Sequence, residues 1–272
     1  MSDATRSDVL PRGPLRDHGG DAVAVRGLTI GWGDVTLIED ITFSVPRGEI
    51  FAILGGSGSG KSTLLRYLIG LETPAKGEIE VAGRGPPDLD RGLPPFGVMF
   101  QGGALFGSMT VLENVSLPLE EWTRLPIADV DVIAHAKLRL VGLGGAADKL
   151  PAEVSGGMTK RAAIARALAL DPPIVFLDEP AAGLDPVSAL ELDDLIVTLA
   201  RSTELTVLMV THEIGSVFRI ADRCLLLDKE SKAVIALGDP RVLRDSNDSR
   251  IREFFDPASG RKEPTWRPAQ TT

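Results

Sequence analysis

Eight consecutive residues carry the densest chemistry in this chain: Gly55-Gly56-Ser57-Gly58-Ser59-Gly60-Lys61-Ser62. Glycines let a backbone wrap closely around an anion, so that its N–H groups face the charge. The lysine adds a positive charge for the β- and γ-phosphates of a nucleotide. The Ser62 hydroxyl is placed to ligate Mg²⁺, and Thr63 could bond the α-phosphate. The segment lies between an apolar run at 50–54 and a helical pattern at 62–69. A helix N-terminus therefore adds partial positive charge at the same spot. This is the Walker A pattern in its expected strand-loop-helix setting.

Three further groups could act on a bound phosphate. Ile174-Val175-Phe176-Leu177-Asp178-Glu179 is an apolar strand ending in two carboxylates. Asp178 would hold Mg²⁺ through its water shell and Glu179 would polarise the attacking water. The alternative is an acidic pair opening a helix at Pro180, since acids favour helix starts. Ser155-Gly156-Gly157 precedes a helical pattern at 158–170, with Met158, Ala162, Ala165 and Ala169 on one narrow face and Asp171-Pro172-Pro173 as its stop. It offers a second helix N-terminus suited to an anion. His212 follows an apolar strand at 206–210; a lone histidine there is more often a satisfied core residue than a functional one.

The elements that must position these groups are short β-rich runs at 22–30, 41–45, 50–54, 77–81, 97–100, 174–177, 206–210 and 224–227. Several are continuously apolar, as strands buried on both faces of a mainly parallel sheet are. The chain turns helical over about 109–170, opening on Thr110-Val111-Leu112-Glu113 with capping-box spacing. Val130, Ala134, Leu138 and Val141 follow at helical spacing, with Gly142 as the stop. Residues 86–95 read as a Pro/Gly loop. Residues 1–21 read as a flexible polar lead and 256–272 as a flexible tail, leaving one α/β unit at 22–255.

Composition narrows the classes. The 272 residues are 43% hydrophobic and 25% charged, as in ordinary globular proteins. A net charge of -9 argues against a surface built for nucleic acid or anionic lipid. No apolar run approaches the roughly 20 residues that span a bilayer, so any membrane contact is expected through a protein partner. Cys224 is the single cysteine, which excludes internal disulfides and multi-cysteine metal sites.

The order of motifs resembles a family. Val154-Ser155-Gly156-Gly157-Met158 resembles the ABC signature motif, usually with Leu first and Gln last, and stands upstream of Asp178-Glu179-Pro180 as in that family. Gln101 resembles the Q-loop glutamine, Gly183-Leu184-Asp185-Pro186 the D-loop, and His212 the switch histidine; together these cover 22 to about 240. The resemblance implies the P-loop ABC ATPase fold, with a mainly parallel core, an antiparallel β subdomain and a helical subdomain. It implies ATP with Mg²⁺, and a head-to-tail dimer in which Ser155, Gly156 and Gly157 of one copy cover ATP held by the other. In that picture His212 contacts the γ-phosphate, Gln101 senses Mg²⁺ or water, Asp185 lines the shared site, and Trp32 stands where an aromatic stacks on adenine.

Phe100-Gln101-Gly102-Gly103-Ala104-Leu105-Phe106, Met158, Val115-Ser116-Leu117-Pro118-Leu119 and Arg250-Ile251-Arg252-Glu253-Phe254-Phe255 look like the Mla/MCE phospholipid-transport ATPases. This closer resemblance implies an ATPase at the cytoplasmic face of the inner membrane, working with a permease and an MCE-domain lipid-binding protein and with no nucleic acid. The departures are Trp32, residues 86–95 and the tail after Phe255. Alternatives are the ATPase of a polar-solute or amino-acid importer, a non-transport ABC ATPase acting on DNA or ribosomes, and a non-hydrolysing nucleotide-binding module. Glu179, present where the base should be, disfavours the last.

Overall fold

A computed structural model describes residues 20–32, 35–88 and 92–256. The expected lead (1–21, but for its last two residues), the tail beyond Asp256 and the middle of the 86–95 loop lie outside the described residues.

The centre is a six-stranded sheet built from β3 (Ile50–Gly55), β5 (Phe96–Met99), β6 (Ile174–Asp178), β7 (Thr206–Val210), β8 (Arg223–Asp228) and β9 (Ala233–Gly238), in the order β5-β6-β7-β3-β8-β9. All neighbours are parallel except β8 and β9. Alternate side chains of each central strand feed two cores. Ile50, Ala52 and Leu54 of β3 join Val175, Leu177, Val207 and Met209 on one face, while Phe51 and Ile53 join Phe176, Leu208 and Val210 on the other. Burial on both faces explains why these runs lack alternation in sequence.

On the second face lies a separate antiparallel sheet, β2-β1-β4, from β1 (Asp21–Trp32), β2 (Val35–Pro46) and β4 (Lys76–Val81). The helix α1 (Lys61–Leu68) packs there through Leu64, Leu65 and Leu68. The first face receives α2 (Val111–Trp122), α3 (Ile127–Leu140), α4 (Gly156–Ala167), α5 (Pro186–Thr203) and α6 (Ile214–Ile220). Short helices α7 (Pro240–Arg244) and α8 (Ser249–Phe255) and a 3-10 helix at Pro151–Glu153 complete the elements. None of the described helices is long and apolar enough to cross a membrane.

Local signals set the helix ends as expected. Glu113 N donates to Thr110 Oγ1 at 3.1 Å and Thr110 N to Glu113 Oε2 at 2.6 Å, closing the capping box of α2. Val130, Ala134 and Leu138 are buried, and Gly142 takes φ 77° just past the end of α3. Three expectations change. β2 begins six residues earlier than its apolar run, because its first half is a half-exposed antiparallel arm. β9 was not foreseen, since it is a partly covered edge strand without a continuous buried run. The helix expected at 158–170 runs Gly156–Ala167 and buries more than one narrow face: Lys160, Ala163, Ile164 and Ala167 join Ala162 and Ala165. Its end lies so close to β5 that a Cβ on Gly97 would sit 1.9 Å from the Ala167 carbonyl oxygen, so only glycine fits.

A charged cluster ties the strands' starting ends, opposite the phosphate loop. Glu49 is 2% exposed, with Oε2 3.5 Å from Arg223 Nη1. Asp222 receives Arg201 Nη2 at 2.6 Å and Ile50 N at 2.9 Å. Burial pushes the Glu49 carboxyl from 4.5 up to about 7; Arg223 and Arg201 pull it down, Asp222 and Asp21 push it up. Because the folded value lies above the unfolded one, this group's contribution is full below about pH 4.5 and is lost as pH rises through about 7. Relative to Glu49→Gln, the native chain is expected to lose roughly 2 kcal/mol of stability between pH 5 and pH 8, read by urea unfolding at both. An unchanged difference would show that Glu49 stays ionised throughout.

Candidate active site at the strand ends

The parallel register brings the chemistry to one edge. Asp178 pairs with Val210, and Val210 with Ile53. The residues just beyond those positions, Glu179, His212 and the loop from Gly55, therefore emerge side by side at the carboxyl ends of β6, β7 and β3. Open α/β sheets bind ligands at such an edge.

The phosphate loop is shaped by its glycines. Gly55, Gly58 and Gly60 take positive φ, and a Cβ on Gly55 would fall 2.4 Å from Ser59 Oγ and 2.7 Å from the Leu227 carbonyl oxygen. Gly56, Ser57 and Gly58 are exposed, Ser59 is buried, and Ser62 and Thr63 lie in the first turn of α1. Lys61 Nζ donates to the carbonyls of Gly55 at 2.7 Å and Gly56 at 3.1 Å. Burial lowers its pKa, while Glu179 and Asp178 support its charged form.

Asp178 ends β6 and has a buried Oδ1 without a hydrogen-bond partner among the described residues. Burial first, then the Glu179 carboxylate, raise its pKa, against Lys160 and Lys61. A buried carboxylate oxygen left without a donor is an uncommon arrangement that suits a ligand or water not supplied by the chain. Glu179 is 8% exposed and stands at φ 49°, in the left-handed region where a non-glycine residue is strained. Its N–H donates to the Val210 carbonyl at 2.8 Å. Its Oε1 lies 2.8 Å from His212 Nδ1. No helix opens at Pro180: a turn follows, and α5 starts only at Pro186. The helix-opening alternative for the acidic pair is thereby excluded.

His212 is neither a core residue nor isolated, since its side chain is 60% exposed and its Nδ1 faces Glu179. With Nδ1–H donating to the carboxylate, a phosphate oxygen could take a hydrogen from Nε2 only if both ring nitrogens are protonated.

Ser155, Gly156 and Gly157 form a second group. Ser155 caps α4, accepting from Met158 N at 3.3 Å, and a Cβ on Gly156 or Gly157 would meet Leu184 or Ser188 at 3.6 Å. Asp185 belongs to that neighbourhood. Its carboxylate caps α5, accepting from Val187 N and Ser188 N at 3.0 Å and from Ser188 Oγ at 2.5 Å, and these bonds, led by Ser188, lower its pKa. Gln101 is exposed, two residues after β5. Trp32 ends β1, and its side chain lies outside the described residues.

Sequence reasoning missed three residues here. Lys160 is buried, and its Nζ donates to the Glu179 carbonyl at 3.1 Å; burial lowers its pKa against Asp178 and Glu179. Arg166 donates to the carbonyls of Gly103 and Ala104, both at 2.8 Å, clamping the loop after Gln101. Asn114, fully buried, holds the far end of that loop through Phe106 N at 2.8 Å and the Phe106 carbonyl at 3.1 Å. The one available signal was a polar residue on an otherwise buried helical face.

Comparison with known proteins places the chain in a family. The family model described as ABC transporter matches residues 38–182. The probable ribonucleotide transport ATP-binding protein mkl of Mycobacterium leprae is 41% identical over 242 residues, 87% of this chain and 69% of that protein. The intermembrane phospholipid transport system ATP-binding protein MlaF of Escherichia coli K12 is 39% identical over 239 residues, 86% of this chain and 88% of that one. Among solved structures, cbiO1 from Clostridium perfringens, part of the ABC transporter complex cbiONQ, superposes with a TM-score of 0.74 at 29% identity, covering 87% of this chain and 96% of that one. A dimeric ATP-binding cassette in a post-hydrolysis state with ADP and Pi superposes at 0.70 and 29% identity, covering 80% and 98%. The α/β fold, with its mostly parallel sheet and antiparallel companion, is thus the ABC ATPase fold. This chain belongs to the ABC transporter family, as an ATP-binding subunit that hydrolyses ATP to drive transport.

Proposed function

We propose that this chain energises phospholipid movement between the inner and outer membranes, from the cytoplasmic face of the inner membrane, with a permease and an MCE-domain lipid-binding protein. The observation that carries the reading is the likeness to MlaF along 88% of that protein, together with the Gly103-Ala104-Leu105-Phe106 segment and Met158. Two side chains, Arg166 and Asn114, hold that segment in a fixed shape, as a contact surface for a partner would need.

In this reading ATP lies on the loop 55–62, with Lys61 on the β- and γ-phosphates, Thr63 on the α-phosphate and Trp32 on adenine. Tyr67 Oη donates to the Gly31 carbonyl at 2.9 Å, which brings the end of β1 beside α1. The orphan Oδ1 of Asp178 and the Ser62 hydroxyl fit a hydrated Mg²⁺, with Gln101 approaching from the neighbouring strand end. The ion would neutralise charge on the phosphates. Glu179 takes a proton from the attacking water, and His212 fixes the direction of its carboxylate. Ser155-Gly156-Gly157 and Asp185 serve the ATP of a second copy, head to tail.

The name carried by the mkl relatives makes uptake of a polar solute, a nucleotide or its precursor, the second reading. Reconstitution of the chain with its co-purified membrane partners separates the two. ATP-dependent transfer of a fluorescent phospholipid between vesicles supports the first, and accumulation of labelled nucleoside without lipid transfer supports the second.

A further inference from the structure

We infer that Lys160 is a positioning residue for hydrolysis, pinning the Glu179 backbone from the same helix whose N-terminus carries Ser155, Gly156 and Gly157. The inference rests on Glu179 being the base.

α4 is nearly encased, and its other buried residues are Ala162, Ala163, Ile164, Ala165 and Ala167. Lys160 is the exception, 6% exposed at the point where the helix passes the end of β6. A buried ammonium is costly unless paired and hydrogen-bonded, so packing alone would favour an aliphatic residue there. Its Nζ instead donates to the Glu179 carbonyl at 3.1 Å. The Glu179 N–H is held by the Val210 carbonyl at 2.8 Å. Glu179 is therefore gripped at both its N–H and its C=O while its φ is 49°. Such a conformation persists only where the surroundings over-determine it, and it aims the carboxylate at His212, 2.8 Å away.

The placement has a second consequence. Ser155 lies five residues before Lys160 on the same rigid helix. A phosphate seated on the N-terminus of α4 would bear on Glu179 of the same chain through about one and a half helical turns and one hydrogen bond. The nucleotide of the partner copy would thus help to set the catalytic carboxylate of this one.

Lys160→Met keeps most of the aliphatic stem and removes every donor; Lys160→Arg restores charge and donors. Lys160→Met is expected to lower kcat about 10-fold or more with KM for ATP within roughly two-fold, and Lys160→Arg to recover most of the loss. Lys160→Gln, which keeps a donor without the charge, is expected to fall between them and serves if the Met variant folds poorly. In a Glu179→Gln background, Lys160→Met should remove nothing further from the residual turnover, because the route it acts through is already lost. Native kcat in Lys160→Met and Lys160→Gln, or a further fall in the Glu179→Gln background, would overturn the inference. Normal turnover by Glu179→Gln alone would instead remove the reading of Glu179 beneath it.

Discussion

A Glu179→Gln chain is expected to hydrolyse ATP on the order of 100-fold more slowly, or worse, while binding it as tightly as the native chain. The size follows from the geometry. Glutamine is nearly isosteric, and its carbonyl oxygen can still accept from His212 Nδ1, where Glu179 Oε1 now lies at 2.8 Å. The turn at φ 49° and the grip of Val210 on the backbone are likewise unaffected. The substitution removes the carboxylate charge, which also supports the charged form of Lys61, and with it the proposed ability to take a proton from water. Single-turnover hydrolysis with protein in excess isolates that step from product release. Undiminished turnover would strip Glu179 of its assigned role.

Lys61→Met is expected to act differently, weakening ATP binding about 10-fold and cutting kcat on the order of 100-fold. Lys61 Nζ rests on the carbonyls of Gly55 and Gly56 at 2.7 and 3.1 Å. Arriving phosphates must compete with those carbonyls, and their negative charge favours the exchange. Burial works against the ammonium, while the Glu179 and Asp178 carboxylates favour it. Methionine keeps the stem and removes the charge that, in the proposed reading, faces the γ-phosphate. Lys61→Arg should not rescue, because the planar guanidinium is larger than the ammonium that the loop encloses. Nucleotide titration and steady-state kinetics report the two effects separately, and binding lost with kcat intact would place Lys61 away from the γ-phosphate.

The contrast between these residues shows what sequence could and could not reveal. The phosphate loop is local: a strand, a glycine turn and a helix lie within about 20 residues, so its composition predicts its shape. The capping box at Thr110 and the apolar spacing of α3 are local in the same sense. The contact of Glu179 with His212 spans 33 positions and depends on β6 and β7 being parallel neighbours in register, which no spacing encodes. The grip of Lys160 on Glu179 needs both that sheet and the crossing of α4 over it. β9 and the first half of β2 leave little trace in the sequence because half-covered edge strands carry weak patterns. The start of α4 is obscured in the sequence because two glycines look like a turn, whereas the Ser155 cap draws them into the first turn of the helix.

In the proposed head-to-tail dimer, one ATP is shared by Lys61 of one copy and Ser155-Gly156-Gly157 of another. Mixed dimers of two defective chains distinguish this arrangement from a site within one chain. Lys61→Met and Ser155→Arg chains should each be nearly inactive alone. In an equimolar mixture, half the dimers are mixed, and each mixed dimer has one site with both native halves. Hydrolysis in the mixture is therefore expected to rise well above the mean of its two components, with roughly a quarter of the native rate as the ceiling. A mixture no more active than the mean of its two components would contradict the shared site and return the whole of catalysis to a single chain.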